Sequence, residues 1–315
     1  MIGTLQALRF IFMMMIFMSH FTYNDICAFD AGGDCGVAFF FMLSGFVCSL
    51  SYGQSIRNGS FCYGRFMWKR LKRFYPIHLL CLMLFLLVSH AVLDTKVLLN
   101  MLLLQSWVPD PNWYFSCNSV SWFLSSLLFC YMVFPLVYRL LSKRLTLLIL
   151  IVYTIVCWLT PYDCVNAILY VFPLVRLVDF YLGMLLCQVY EQKSGMYINT
   201  GIELLLVVLL LLSLVVYPFV DAKLRNAPLY WVILMPLIIV FAHEKGAVSR
   251  LLSSRPMLFL GSLTLPLFLT HRMLIDIITP HLSEIPSVLM LGACLIITFV
   301  ISWGAQMCFS KLIRL

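Results

Sequence analysis

Ten apolar runs, each bounded by polar clusters, occupy most of this chain. A helix that crosses a bilayer needs about 20 apolar residues. Charged residues make up only 11% of the sequence, whereas a soluble domain is about a quarter charged. A water-soluble globule is therefore excluded, and the pattern predicts an all-α polytopic membrane protein with about ten transmembrane helices. The runs cover residues 5–23, 36–52, 74–94, 119–139, 145–160, 166–187, 202–220, 228–243, 256–277 and 287–308.

The number of residues left between the apolar runs limits the domain organisation. Ten crossings would use about 200 positions of the 315 in the chain, which leaves enough for loops and tails only. We therefore expect one transmembrane domain over residues 1–315, without a separate soluble domain. The net charge of +8 would suggest an acidic partner in a soluble protein. In a membrane protein it reflects topology, so no nucleic-acid partner is expected.

The basic residues predict the orientation, because Lys and Arg collect in cytoplasmic loops. With the N-terminus inside, 15 basic residues fall on the cytoplasmic side, and Lys96, Lys223 and Arg225 fall on the other. This split favours cytoplasmic N- and C-termini in a multi-pass protein of the plasma membrane, or of the inner membrane in a bacterium with two membranes. Residues 98–107 are apolar but too short to span, which predicts a re-entrant or interfacial segment.

Twelve cysteines resemble a disulfide framework by number alone. Most of them lie within or beside apolar runs, where cysteine is a packing residue. Only Cys27 and Cys35 share a loop, so the sequence leaves a disulfide between these two undecided.

The first apolar run contains two ionisable residues, Arg9 and His20. They are 11 residues apart, so on a helix they project from one face, about 16 Å apart along the axis. Ionisable groups within a bilayer are functional candidates, because an unpaired charge there costs at least about 2.5 kcal/mol. The alternative is that Arg9 snorkels to the headgroups and His20 caps the end of the helix.

A basic run before the third apolar segment contains Arg70 and Arg73. Two guanidinium groups one helical turn apart suit an anionic phosphate ligand, which Arg binds through two parallel hydrogen bonds. The same charges would also serve orientation alone. The residues by themselves leave both interpretations open.

Other polar residues within the apolar runs carry weaker signals. Arg176 and Asp179 have the spacing of an ion pair on one helix, which favours a structural pair. His271, a lone helix histidine, is compatible with packing as well as with function. Ser44 and Ser125 can hold helices together, and since neither has an obvious base nearby, neither is expected to be a nucleophile.

Several motifs, taken in order along the chain, resemble those of the acyltransferase-3 family of membrane O-acyltransferases. The likeness covers about residues 5–275 and includes a ten-helix layout. The motifs are Leu8-Arg9 with His20-Phe21, residues 36–46 (GVAFFFMLSGF), Arg70-x-x-Arg73 followed by Phe74-Tyr75-Pro76, Trp122-Phe123-Leu124-Ser125 with Tyr131 and Phe134-Pro135, Phe172-Pro173-Leu174-x-Arg176 with Phe180 and Gly183, and residues 261–271 (GSLTLPLFLTH).

The chain also departs from the family pattern. Members often carry Glu soon after the fourth-helix Ser, where this chain has Leu127 and Leu128. Leu265 and Phe268 replace aromatic residues of the late motif. These departures bear on the type of acceptor rather than on the fold.

The resemblance implies transfer of an acyl group, most often acetyl from coenzyme A, to a hydroxyl of a surface polysaccharide, lipid-linked glycan or similar acceptor. It implies His20 and Arg9 as catalytic residues, with His20 as the general base, and neutral imidazole is a suitable base near pH 7. The implied partners are acyl-CoA, the carbohydrate acceptor and membrane lipids, with no metal and no permanently bound cofactor. The remaining implied site residues are Arg70 and Arg73 for acyl-CoA, and His271, Arg176, Trp122 and Ser125 in support of the acceptor.

A transporter or flippase for a lipid-linked or small anionic substrate is the alternative, with Arg9, Arg176 and His271 as pathway residues. Transporters commonly show repeated halves, and no convincing repeat relates residues 1–150 to residues 160–315. A purely structural scaffold would leave the shared face of Arg9 and His20 without a purpose. Acyl transfer therefore remains the favoured function.

Overall fold

The structure is a computed structural model that describes residues 2–23, 26–27, 29–90, 92–192, 195–279 and 286–314. Almost all of this backbone is helical, as a bilayer demands, because a helix satisfies its own N–H and C=O groups. The two strands, β1 (Thr22–Tyr23) and β2 (Ile26–Cys27), form a short antiparallel pair. The helices are α1 (Gly3–His20), α2 (Asp30–Arg57), α3 (Tyr63–Ser89), α4 (Thr95–Met101), α5 (Pro111–Tyr114), α6 (Trp122–Arg139), α7 (Lys143–Leu159), α8 (Pro173–Gln192), α9 (Thr200–Val216), α10 (Ala222–Arg225), α11 (Pro228–Ala242), α12 (Ala247–Leu252), α13 (Arg255–Ser262), α14 (Thr264–Ile278) and α15 (Ser287–Arg314).

Within the described part of the chain, seven helical segments are long and apolar enough to cross a membrane. Two bent pairs raise the number to nine if each is one span: α7 with 162–171, bent by 119°, and α13 with α14, bent by 57°. The predicted helical, polytopic architecture is confirmed. Ten crossings with cytoplasmic termini remain a prediction. The seven segments are Asp30–Arg57, Tyr63–Ser89, Ser119–Arg139, Pro173–Gln192, Thr200–Phe219, Ala222–Ala242 and Val288–Cys308.

Close contacts at glycines hold the central helices together. A Cβ atom on Gly45 of α2 would lie 1.9 Å from the Phe180 carbonyl oxygen of α8, and one on Gly183 of α8 would lie 1.8 Å from the Met42 carbonyl oxygen of α2. Glycine at both places lets the two backbones touch, which is how membrane helices gain packing energy without a hydrophobic driving force. Any larger residue would force α2 and α8 apart.

Helix α1 is fixed against this pair and against α13. The Phe12 and Phe39 rings stack with centroids 3.8 Å apart, which joins α1 to α2. On the other side, a Cβ atom on Gly261 would lie 2.1 Å from the Gln6 carbonyl oxygen, so α13 approaches α1 as closely as α2 approaches α8. The end of α13 and the start of α14 are thereby placed beside α1.

The segment that contains the predicted re-entrant stretch 98–107 consists of short helices and turns rather than one long helix. Its buried polar side chains bond one another: Ser121 Oγ donates to Asn100 Oδ1 at 3.0 Å, and Asn100 Nδ2 donates to Ser116 Oγ at 2.7 Å. Asn118 Nδ2 donates to the Leu269 carbonyl of α14 at 2.8 Å. The segment therefore braces α14, and its re-entrant or interfacial position remains a prediction.

The possible disulfide of the first loop is not decided by the structure. Cys35 is buried and forms no disulfide with a described side chain. The side chain of Cys27 lies outside the described residues, so the pairing of these two cysteines remains open.

Candidate active site

Two chambers lie in succession between α2, α6 and α14. The first, which we call the arginine chamber, encloses about 970 Å³ with its open mouth included, and the second, the histidine chamber, about 770 Å³. Residues that line the arginine chamber are Arg9, Phe40, Leu43, Ser44, Val47, Arg70, Arg73, Phe74, Phe123, Leu124, Leu127, Tyr131, Gly261, Ser262, Thr264, Leu265 and Phe268. Residues that line the histidine chamber are Ile16, His20, Val37, Phe115, Ser119, Val120, Trp122, Tyr170, Phe268 and Arg272.

Neighbouring residues of the same helices separate the two chambers. On α6, Trp122 lines the histidine chamber and Phe123 the arginine chamber. On α2, Val37 lines the former and Phe40, one helical turn later, the latter. Phe268 of α14 lines both. The chambers therefore share a wall and follow one another along the helix axes.

The arginine chamber brings Arg9 of α1 together with Arg70 and Arg73 from the first turns of α3. The Arg70 guanidinium carbon lies 5.2 Å from the ring centroid of Tyr131 and 5.5 Å from that of Tyr52. Arg70 Nε has no hydrogen-bond partner among the described residues. The aromatic rings hold the guanidinium group in place without using up its hydrogen bonds.

The lining of the arginine chamber contains no Asp or Glu among the residues that the structure describes. At the position of Leu127, where members of the resembling family often carry Glu, the side chain is an apolar part of the wall. Arg9 and Arg70 are half-buried and Arg73 is exposed, and like charges gathered without a carboxylate repel one another unless an anion joins them. The arginine chamber is therefore suited to receive a negatively charged group.

His20 lines the histidine chamber and forms a pair with His271, which joins the end of α1 to the middle of α14. His271 Nε2 lies 3.0 Å from His20 Nδ1. His271 is fully buried, and its Nδ1 lies 2.7 Å from the Phe268 carbonyl oxygen and 3.2 Å from that of Leu267. Because a carbonyl oxygen only accepts, the His271 proton must be on Nδ1.

The proton on His271 determines the state of His20. Neutral His271 with its proton on Nδ1 can only accept at Nε2, so His20 Nδ1 donates to it. The Ile16 carbonyl, one turn back on α1, is a second partner of the His20 ring, and Nδ1 is the ring nitrogen nearer the backbone. His20 Nε2 is then left unprotonated, with a lone pair that can accept a proton.

Other groups of the histidine chamber are aromatic or polar. Arg272 donates from Nη1 to the His20 carbonyl at 3.1 Å, and its Nη2 lies 3.1 Å from Asp276 Oδ1. The rings of Trp122 and Tyr170 have centroids 4.8 Å apart. Aromatic walls with a few placed polar groups are typical of a small-molecule site.

A cysteine close to this chamber is not a competing nucleophile. Cys117 lies between the chamber-lining residues Phe115 and Ser119 in sequence. Burial, together with the nearby Asp94 carboxylate, raises the pKa of the Cys117 thiol to about 11. The thiol therefore remains protonated near neutral pH, and only the thiolate is a strong nucleophile.

Besides His271, two of the predicted site residues line neither chamber. Ser125 is buried, and its Oγ accepts from the Ser106 N–H at 3.4 Å. Arg176 is fully buried and forms the predicted ion pair, with Nη1 2.7 Å from Asp179 Oδ2. Its Nη2 also donates to the Leu169 carbonyl at 2.6 Å. Both residues therefore hold helices and turns together rather than line a cavity.

Several chamber residues carry no clear signal in the sequence. Arg272 follows His271 directly. The one indication of its role in the sequence is its charge within an apolar run. Tyr170 belongs to a π-helical stretch, Asn166–Val171, that follows a sharp bend, which sequence periodicity does not predict. Ser119 precedes α6 in a three-residue helical turn and reaches the chamber only through the tertiary fold.

Comparison with known proteins identifies the family. The acyltransferase-3 family model, described as an acyltransferase domain, matches residues 2–307. The acyltransferase MdmB of Streptomyces mycarofaciens is 31% identical over 121 residues, which is 35% of this chain and 30% of that protein. The chain thus spans about a third of the relative that it matches, and no solved structure matches it. Since the family model covers nearly the whole chain, this membrane protein belongs to the acyltransferase-3 family.

Proposed function

We propose that this protein is a membrane O-acyltransferase that moves an acyl group, acetyl in the first place, from acyl-CoA to a hydroxyl group of a surface polysaccharide, lipid-linked glycan or similar acceptor. Membership of an acyltransferase family supports acyl transfer in general. The observation that carries the rest is the common wall between two chambers. One is lined by arginines that have no acidic partner among the described residues, and the other is lined by His20, which His271 orients.

The arginine chamber is the proposed donor site. Coenzyme A carries several phosphate charges, and guanidinium forks bind phosphate oxygens through paired hydrogen bonds. Arg70 and Arg73 lie at the first turns of α3, close to the mouth, and Arg9 lies deeper on α1. With the phosphates on this arginine group, the slender pantetheine arm would extend along the chamber towards Phe268 and the histidines.

His20 is the proposed general base. Its Nε2 removes the proton of the acceptor hydroxyl while the hydroxyl oxygen forms a bond to the thioester carbonyl carbon. The carbon–sulfur bond then breaks, and the coenzyme A sulfur leaves as a thiolate that takes the proton back from His20. His271 acts as a positioning residue, because its Nε2 keeps the His20 proton on Nδ1.

The histidine chamber is the proposed acceptor site. Phe115, Trp122 and Tyr170 offer aromatic surface, and Ser119 and Arg272 offer polar groups beside His20. Such a mixture suits a sugar ring, which has apolar faces and hydroxyl edges. Family membership favours this enzyme over the transporter that the sequence alone left open.

The two chambers also suggest on which side each substrate binds. Arg65 and Lys69 are exposed near the start of α3, beside the arginine chamber, and such basic clusters face the cytoplasm. His20 is the last residue of α1, about 16 Å further along the helix than Arg9. We therefore propose that acyl-CoA binds from the cytoplasm of a plasma-membrane protein and that the acceptor is modified towards the opposite face.

Sealed inside-out vesicles that contain the protein test this assignment. Isotopically labelled acetyl-CoA is added to the outside, which corresponds to the cytoplasm, and the glycans of both compartments are analysed by mass spectrometry. We expect labelled acetyl esters on glycans in the lumen, without a separate acetyl-CoA carrier. Labelled product found only outside the vesicles would contradict transfer across the membrane, and no labelled ester in either compartment would contradict the acyltransferase itself.

A further inference from the structure

The wall between the two chambers is built from three phenylalanine rings, which we call the aromatic constriction. They are Phe40 of α2, Phe123 of α6 and Phe268 of α14. The ring centroids of Phe40 and Phe123 are 6.3 Å apart, and those of Phe123 and Phe268 are 5.1 Å apart. Three of the helices that line both chambers, α2, α6 and α14, therefore contribute one ring each at the level where the chambers meet, whereas α1 lines both through other residues.

Phe268 is the ring that borders both sides. It is 6% exposed and lines the arginine chamber as well as the histidine chamber. Its backbone carbonyl accepts from His271 Nδ1 at 2.7 Å, and its ring centroid lies 5.9 Å from that of His271. The residue that closes the passage is therefore anchored to the histidine pair.

The Phe123 ring also packs against a second ring of α2. Its ring centroid lies 4.6 Å from that of Phe41, which is buried completely. Closely packed rings cannot move apart without disturbing their neighbours, because a protein interior is packed as densely as a crystal of small organic molecules. The Phe123 ring therefore stays in place, and the width of the passage depends on how far the Phe268 ring, which borders both chambers, turns away from it.

We propose that the aromatic constriction selects the acyl group by its width and that Phe268 is the specificity-determining residue. This inference rests on the proposed function, in which the thioester carbonyl must reach His20 from the arginine chamber. The acyl group is the leading end of the donor as it enters the constriction. An unbranched acyl chain is no wider than the pantetheine arm behind it, whereas a branch adds a methyl group sideways. The enzyme therefore accepts acetyl and short unbranched acyl groups and rejects branched ones.

Two donors with the same atoms and different widths test the proposal. Butyryl-CoA and isobutyryl-CoA have the same carbon number, and only the second is branched. The ratio of kcat/KM for isobutyryl-CoA to that for butyryl-CoA is measured in the wild type and in Phe268→Ala, with acetyl-CoA as the reference. We expect the ratio to rise about tenfold or more in the variant, the effect of making room for one methyl group. General damage to the protein lowers both values and leaves the ratio unchanged.

Matched variants keep the test decisive. Phe299→Ala removes a ring of α15 that lines a separate groove and neither chamber, so its ratio should equal that of the wild type. If Phe268→Ala does not fold, Phe268→Leu and Phe123→Leu should raise the ratio in the same direction. A ratio that stays at the wild-type value in the folded constriction variants, while acetyl transfer continues, would overturn the width selection. A wild type that transfers none of the three acyl groups would instead overturn the proposed acyltransferase, and the constriction with it.

Discussion

The arginine chamber and the histidine chamber differ in how their polar groups are used. At the histidine chamber, His20 is bound by His271, which lies behind it and bonds two backbone carbonyls, and Arg272 binds Asp276 and the His20 carbonyl. In the arginine chamber, Arg70 Nε has no hydrogen-bond partner among the described residues, and no acidic side chain of those residues lines the wall. The polar groups of the histidine chamber orient one another, whereas the arginines of the arginine chamber can bind an anionic ligand.

This difference indicates what a change in each chamber should do. Removing a mutually bonded group disturbs the orientation of its partners and should change turnover. Removing an unpaired cation leaves the protein fold intact and should change ligand affinity. Arg176 provides a third case, because it is buried like a core residue and bonded on several sides without lining either chamber.

The largest effect is expected for His20→Ala. Since general base catalysis contributes about 10²- to 10⁴-fold, acetyl transfer should fall by about that factor while acetyl-CoA affinity stays near the wild-type value. Turnover and binding are measured on the same purified sample. His90→Asn is the matched control, because His90 is exposed with a positive φ of 49° that Asn tolerates. Near-normal turnover in a folded His20→Ala protein would remove His20 from the mechanism.

Arg176→Met tests whether a buried acidic partner marks a structural arginine. The variant leaves the buried Asp179 carboxylate without its cation, and breaking such a pair costs about 3 to 5 kcal/mol. We expect a loss of that size in the free energy of unfolding, measured by denaturant titration in detergent. Adding Asp179→Leu should recover part of the loss, since no unpaired charge then remains. Normal stability together with lost acceptor binding would move Arg176 from the scaffold to the site.

Arg70→Ala and Arg73→Ala test the opposite case, arginines without acidic partners. Each should weaken coenzyme A binding by about 1.5 to 3 kcal/mol, the range for hydrogen bonds to charged groups, with little change in stability. Isothermal titration calorimetry measures the affinity. Arg65→Ala is the control, because Arg65 is exposed on the same helix and does not line the chamber. If all three variants bind coenzyme A like the wild type, the basic run serves orientation only.

The smallest effect is expected for His271→Ala, which removes the acceptor of the His20 Nδ1 proton. Partners that orient metal-bound histidines are worth about 10- to 100-fold, and we expect about a tenfold loss of kcat here, with KM for acyl-CoA unchanged. His271→Gln should restore part of the rate, because its amide oxygen can accept the same hydrogen bond. A Gln variant no better than Ala would indicate that His271 only fills space.

Parts of the site follow from local sequence. Arg70 and Arg73 are one turn apart in any helix, and Arg9 and His20 share one face of α1 in any helix of that length. Their placement in separate chambers was not predictable in the same way. His20 meets His271 across 251 residues, and the direction of the hydrogen bond depends on two backbone carbonyls of α14 that only the folded helix presents.

The two bent helix pairs also could not be predicted from local sequence. The apolar runs predicted helices at the positions of α7 and α13, but the 119° bend after α7 and the 57° bend before α14 do not follow from periodicity. Tyr170 reaches the histidine chamber because of the first bend, and Ser262 and Thr264 border the arginine chamber at the second. A hydropathy pattern records how apolar a stretch is, and it contains no information about where its axis turns.

The sequence by itself determined that the chain is a bundle of membrane helices with an arginine pair and a histidine at the end of its first helix, because hydropathy and helical spacing are local properties. The tertiary structure decided which polar groups found partners. Contact of α2 with α8 through Gly45 and Gly183, and of α1 with α13 through Gly261, brings distant residues to fixed positions. Whether an arginine has an acidic partner, like Arg176, or has none among the described residues, like Arg70, depends on those neighbours. Hydrogen bonds between helices depend on ångström distances that no single segment contains.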